Sequence, residues 1–239
     1  LIPSNIPNTK INKMRINSTG LAVVLLQARL RNLDYFSLGI NGIFEETTKQ
    51  AVKEFQKKEK LVVDGIAGKN TNKRIAALTK EAWLFTFVHC SATQEDRNVT
   101  PAAVARYHKI TKGWSRAGYS DIIDIYGKLS NITPYNSDSL ISDWEYSFGV
   151  KKRTLLNRNA RHICYIGGVN NKDAKDTRNP KQRRSLYTYL NYQILLNPKL
   201  LILGHNQVQK KACPSFDVYN EYSYLGIGKS NFMQERYPI

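Results

Sequence analysis

Two textures of apolar and polar positions follow one another along the chain. In the first, apolar residues recur at helical spacing: Val23, Leu26 and Leu30 in "GLAVVLLQARLRNL", then Val52 and Phe55, with the stem of Gln56 beside them, in "ETTKQAVKEFQKKEK". Glycine-bearing stretches, "YFSLGINGIF" and "LVVDGIAGKN", interrupt the rhythm, and "TNKRIAALTK" restores it. Three short helices are predicted. The pattern also echoes itself. Asn41-Gly42-Ile43 precedes Thr48, Val52 and Phe55; Asp64-Gly65-Ile66 precedes Thr71, Ile75 and Leu78, at a constant offset of 23 residues. Each copy reads as a turn, an apolar plug, a threonine near a helix start and an apolar face. Two copies make one small helical domain, residues 18–80, and the polar residues 1–17, with Pro3 and Pro7, read as an extended leader.

From Trp83 the texture changes. "WLFTFVHCSAT" is a continuous apolar run with a polar end, the mark of a buried strand. "TPAAVARYHKI" is a helix capped by Thr100, with Pro101 in its first turn and Ala103, Val104 and Tyr107 on its inner face. "YSDIIDIYG", "RHICYIGG" and "KLLILGHN" are further strands, and "NPKQRRSLYTYLNYQILL" is a longer helix. The expected fold is α/β: a mixed central sheet flanked by helices over residues 83–219, preceded by the small three-helix domain. Residues 220–239 form an aromatic tail with Tyr222, Tyr224, Phe232 and Tyr237. It reads either as a strap packed back on the domain or as a docking segment for another subunit.

Composition narrows the function. The 239 residues carry a formal charge of +17, split as +8 over residues 1–80 and +9 over the rest. Charge this dispersed fits loose attraction to a polyanion, such as a bacterial envelope. With no basic helix or aromatic-basic strand motif, nucleic acid is not expected as a partner. No apolar run is long enough to span a bilayer, and the first twenty residues lack the apolar core of a signal peptide. Three cysteines (Cys90, Cys164, Cys213) make no disulfide framework; Cys164 reads as a small buried hydrophobe on a strand.

The scarce histidines carry the chemistry. His89 and His205 each follow an apolar run, and Cys213 lies eight residues after His205 across a polar loop. If the two strands are neighbours, these side chains can converge on zinc, which accepts imidazole and thiolate together, and three protein ligands leave a position open. A histidine at a strand end is also commonly a plain core or surface residue, so spacing alone leaves both readings standing.

Two ordered sets of residues go further. Gly20, Val23, Leu26, Gln27, Leu30, Gly42, Phe44, Thr48, Ala51, Val52, Phe55, Gln56, Leu61, Asp64, Gly65, Gly68 and Thr71 resemble the peptidoglycan-binding domain family, a three-helix module; Glu45 and Lys60 stand where that family usually has glycine. "VHCSATQEDRNVT", "GWSRAGY", "ICYIGG", "DTRNPKQ" and "GHNQVQKKACPSFDV" resemble, in order, the zinc N-acetylmuramoyl-L-alanine amidases of phage lysozyme type. The second resemblance implies zinc held by His89, His205 and Cys213, with Tyr119 and Lys211 as catalytic residues that stabilise the oxyanion. It departs from the family at Ser120, where a His or Asn usually follows the tyrosine, and in "VKKRTLLNRNAR", which lacks the usual substrate loop. His108 matches a family histidine and reads as structural. His162 reads as preceding its strand, outside the metal set. Cys90 is expected to face away from His89.

The leading expectation is therefore a zinc-dependent peptidoglycan hydrolase cutting the amide between N-acetylmuramic acid and L-alanine. Such an enzyme would be a phage lysin, freed through a membrane pore or carried in a virion, acting on the periplasmic wall. The competing expectation is an amidase fold that binds wall or serves in a virion without turnover, favoured by the altered loop and the aromatic tail.

Overall fold

The computed structural model describes residues 13–151, 154–224 and 229–237. The chain divides into two units, one ending at Thr79 and the other beginning at Lys80, with the short stretch Leu38–Asn41 grouped with the second.

The first unit holds helices α1 (Leu21–Asn32), α2 (Glu46–Lys58) and α3 (Lys69–Leu78). Val23, Leu26, Leu30, Val52, Phe55 and Ile75 are buried at the predicted spacing. Apolar periodicity does not disclose what closes the two turns. The Gln27 amide accepts the Gly42 N–H at 2.9 Å and donates to Ile43 O and Thr48 Oγ1, both at 3.0 Å. Gln56 repeats the device, accepting the Gly65 N–H at 2.9 Å and donating to Ile66 O at 3.0 Å and Thr71 Oγ1 at 3.1 Å. The echo in the sequence is thus two turns, each locked by a buried glutamine from the preceding helix. The threonines serve those glutamines and do not cap their helices. Gly42 and Gly65 both sit at φ 70°, which explains glycine at each. Of the two glycine replacements only Lys60 carries strain, at φ 54°, a left-handed conformation costing about 1 kcal/mol; Glu45 is extended at φ −94°.

Residues 1–12 of the expected leader lie outside the described residues. Met14 is buried and exchanges backbone hydrogen bonds with Ala67, and Thr19 bridges Ile43, so the rest of that expected leader is part of the helical unit.

The second unit runs β1 (Phe85–Cys90), β2 (Thr93–Gln94), α4 (Pro101–Arg106), β3 (Asp121–Ile123), β4 (Leu129–Asn131), α5 (Thr154–Arg158), β5 (Ala160–Tyr165), β6 (Gly168–Asn170), β7 (Asp173–Ala174), α6 (Pro180–Leu196), β8 (Leu201–Gly204) and α7 (Val218–Tyr222). Its main sheet has the order β4-β3-β5-β1-β8. β3, β5, β1 and β8 are parallel and β4 is antiparallel, which makes the sheet mixed, as expected. β2, β6 and β7 form a small second sheet.

The pleat sorts the side chains onto two faces. Val88, Cys90, Ile123, Ile163, Tyr165 and Ile202 pack with Leu186, Tyr189, Leu190 and Ile194 of α6. On the other face Ile122 and Cys164 pack with Val104 of α4. Asn179 caps α6 through a reciprocal bond with Gln182, and Thr100 accepts the Ala103 N–H at 3.1 Å to cap α4. The inner face of α4 differs from expectation. Ala103 and Tyr107 are exposed, while Val104 and His108 are buried. His108 lies four residues after Val104, on the same face, at the start of a π turn over Tyr107–Thr111.

The described part of the tail, residues 220–224 and 229–237, packs back on its own unit. Phe232 bridges Ile202, the Met233 N–H bonds Ile202 O at 3.1 Å, and the Tyr237 N–H bonds Gln207 O at 2.7 Å, covering the outer edge of β8. Tyr222 and Phe232 are buried in the core, and Tyr224 is exposed.

Candidate metal centre

Parallel pairing places Val88 beside Gly204, so the next residues, His89 and His205, emerge side by side at the carboxyl ends of two neighbouring strands. Ligands and chemistry gather at such strand ends in α/β sheets. His89 is the penultimate residue of β1, and His205 opens a single 3-10 turn after β8. Cys213 comes from the loop beyond. That loop is held by the Tyr165 hydroxyl on Pro214 O at 2.9 Å and by the Ser215 hydroxyl on Gly168 O at 3.1 Å.

The three side chains meet. His89 Nδ1 lies 3.1 Å from His205 Nδ1 and 3.6 Å from Cys213 Sγ, and all three donor atoms lie within 4.8 Å of one another. Among the described residues this is the one such cluster of His, Cys, Asp or Glu. A tetrahedral zinc with its usual bond lengths has N–N edges of about 3.3 Å and N–S edges of about 3.6 Å. The donor set suits zinc, and the two edges at His89 lie close to these values, with the third inside 4.8 Å.

The tautomers fit as well. Gln209 Nε2 donates to Lys151 O at 2.8 Å, which turns its Oε1 toward His205 Nε2, also at 2.8 Å. An amide oxygen only accepts, so His205 carries its proton on Nε2 and leaves Nδ1 bare, as a metal ligand requires. Burial holds all of these histidines neutral. His205 is pushed down to about 4, and His89 falls well below its ordinary value, through burial first and then through the nearby imidazoles of His205 and His162 and the charge of Lys211. Burial pushes the Cys213 thiol well up, although the Cys90 N–H points at its sulfur from 3.2 Å. Converting it to the ligating thiolate takes a cation at the triangle.

Tyr119 and Lys211 lie at the same end of the sheet. The Tyr119 ring is 5.1 Å from that of His89, and its hydroxyl donates to Cys90 O at 3.3 Å. Burial and the neighbouring thiols raise the phenol well above its ordinary value, so it stays a donor. Lys211 is exposed, and its positive charge lowers the pKa of both His89 and His205. His108 is buried behind the tyrosine. It stacks on Trp114 at 4.8 Å, meets the Tyr119 ring edge-on at 5.1 Å and accepts the Gly118 N–H at 3.2 Å. Ser120 is buried and bonded to Ser147 and to the His162 N–H.

Two partners were not expected from the sequence. Gln209 is one. The other is His162, which lies within β5, and its Nδ1 is 3.0 Å from His89 Nε2. A histidine inside an apolar strand carries no spacing signal, because its partner is 73 residues away. Cys90 packs with Val88 on the α6 face, the side away from His89.

The chain thus joins a helical unit with glutamine-locked turns to an α/β unit that carries a His/His/Cys triangle. Residues 19–75 match the family model described as a putative peptidoglycan binding domain. The endolysin of Escherichia phage T7 is 30% identical over 146 residues, covering 61% of this chain and 89% of that protein. The endolysin of Enterobacteria phage T3 is 32% identical over 133 residues, covering 55% and 80%. The chain belongs to the phage endolysin family. Solved structures with some likeness include Drosophila PGRP-LB (19% identity, TM-score 0.47, 64% of this chain and 84% of that one). Another is the N-acetylmuramoyl-L-alanine amidase LysCS from Clostridium intestinale URNW (22% identity, TM-score 0.42, 56% and 75%).

Proposed function

We propose that this endolysin-family chain is a zinc-dependent N-acetylmuramoyl-L-alanine amidase of a phage, which cuts the amide joining the glycan to its stem peptide in peptidoglycan. The observation that carries the reading is the donor triangle: two imidazole Nδ1 atoms 3.1 Å apart and a thiol sulfur 3.6 Å from one of them. Bound there, zinc supplies Lewis acidity, acidifying a water and polarising the amide carbonyl.

The chain's own groups do the rest. His89, His205 and Cys213 leave one side of the triangle for water and substrate. The Tyr119 hydroxyl, kept protonated by burial, donates to the oxyanion that develops as the amide carbon is attacked. Lys211, on the loop two residues before Cys213, adds positive charge at the same oxygen. The helical unit supplies attachment to the polymer, and the net charge of +17 favours an anionic envelope. The proposed place of action is the periplasmic wall, reached from inside at lysis or from a virion at entry. No helix among the described residues is long and apolar enough to cross a membrane.

His205→Ala tests the reading. It removes one of three ligands, so zinc content and hydrolysis should fall together. Full activity in that variant would sink the metal assignment.

A further inference from the structure

We propose that His162 is a positioning residue for the metal ligand His89: its Nδ1 accepts the proton on His89 Nε2 and so presents His89 Nδ1 to the cation. The proposal rests on the zinc reading above. Metal on Nδ1 obliges His89 to carry its ring proton on Nε2, and that atom is the one 3.0 Å from His162 Nδ1. Acceptors on the far nitrogen of a ligating histidine fix its orientation and basicity.

The His162 ring has neighbours on three sides, and its backbone is tied down as well. It stacks on Phe87 at 5.2 Å and 11°, and its own backbone N–H is bonded to Ser120 Oγ at 3.1 Å. The His89 ring sits 5.2 Å away. Gly149 closes the third side. A Cβ there would come within 2.1 Å of His162 Nδ1, so the absence of a side chain at 149 leaves room for the accepting atom.

A neutral acceptor also suits the place. His162 is fully buried, and an unpaired carboxylate there would carry a large desolvation penalty. The arrangement has an imperfection. With Nδ1 accepting, the His162 proton sits on Nε2, a buried atom with no hydrogen-bond partner among the described residues. An asparagine would keep an acceptor at the Nδ1 position, with its two amide N–H donors in place of the single imidazole N–H.

The test measures zinc affinity of the full chain by chelator competition, for wild type, His162→Phe, His162→Asn and Gly149→Ala. Nitrogen-15 spectra of His89 in the zinc-loaded protein are recorded alongside. His162→Phe keeps the stack and loses the acceptor, so the zinc Kd should rise about 10- to 100-fold. His162→Asn should stay within about threefold of wild type, because the acceptor is restored. Gly149→Ala puts a methyl on the accepting Nδ1, displacing it from its hydrogen bond, and should weaken zinc in the same direction as Phe. The spectra should place the His89 proton on Nε2, with its resonance shifted in the Phe variant. A folded His162→Phe protein with wild-type affinity and an unchanged His89 spectrum overturns the proposal. If that variant does not fold, an unchanged Kd in Gly149→Ala overturns it. Wild-type protein that binds no zinc would overturn the metal reading itself, and this inference with it.

Discussion

Replacing Tyr119 by Phe removes one oxygen from the site and leaves its ring against His89 and His108. The stability cost follows from the bond lost. The Tyr119 hydroxyl donates to Cys90 O at 3.3 Å, a long bond worth about 0.5–1 kcal/mol at most. In a chain of this size that shifts the melting temperature by only a few degrees, about 2–4 °C per kcal/mol. The catalytic cost is larger. A single fixed donor to a developing oxyanion contributes about 2.7–4 kcal/mol, so kcat should fall about 10²- to 10³-fold. KM should change little, because the donor acts on charge absent from the ground state. The phenol is held well above its ordinary pKa, so the loss should not vary with pH between neutrality and mild alkali. The assay is the initial rate of stem-peptide release from purified wall, with zinc affinity measured on the same samples. A kcat within threefold of wild type would refute the donor role. Loss of zinc in the variant would show that the tyrosine supports the metal site instead.

Other changes separate the parts of the account. Lys211→Met should lower kcat by about tenfold or more and leave zinc binding intact or slightly tighter, since it removes a positive charge acting on His89 and His205; unchanged turnover would make Lys211 a plain surface charge. Gln56→Leu strands the Gly65 N–H and the Ile66 carbonyl, so the helical unit should lose about 2–5 kcal/mol and wall retention should weaken; a wild-type melting profile would contradict the glutamine lock. His108 has its pKa lowered by burial and then by Lys112, and it accepts the Gly118 N–H only when neutral. The unfolded chain therefore binds that proton more readily, so this contribution is present above about pH 6.5 and is lost as pH falls through the lower folded value. Melting temperature from pH 7.5 to 5.5 should drop more steeply in wild type than in His108→Gln, and parallel curves would count against it.

Much of this was legible in the chain because it follows from local rules. An apolar run that ends in a polar residue places His89 and His205 at strand ends. Asn179-Pro180 and Thr100-Pro101 announce helix starts, and Asn41-Gly42 and Asp64-Gly65 announce turns. What hydrophobic pattern does not register is a polar group satisfied at long range. Gln27 and Gln56 sit among apolar residues for reasons visible only once the turns they close are in place. His162 looks like one more residue of a buried strand until β1 lies beside it. On α4 the sequence leaves two i,i+4 pairs to choose from, Ala103/Tyr107 and Val104/His108, and the buried one is the pair with the polar histidine, which an apolar pattern does not select. The two-residue strands β2 and β7 are too short for any alternation to mark.

The central claim is that the triangle of His89, His205 and Cys213 holds a zinc that hydrolyses the glycan–peptide amide. Its most direct test is mass spectrometry of purified peptidoglycan after incubation with the zinc-replete protein. The account predicts stem peptides bearing a free L-alanine amino terminus, appearing with time and vanishing when a chelator strips the metal. Zinc bound at the triangle with no such peptide released, or peptide released undiminished under chelator, would contradict it.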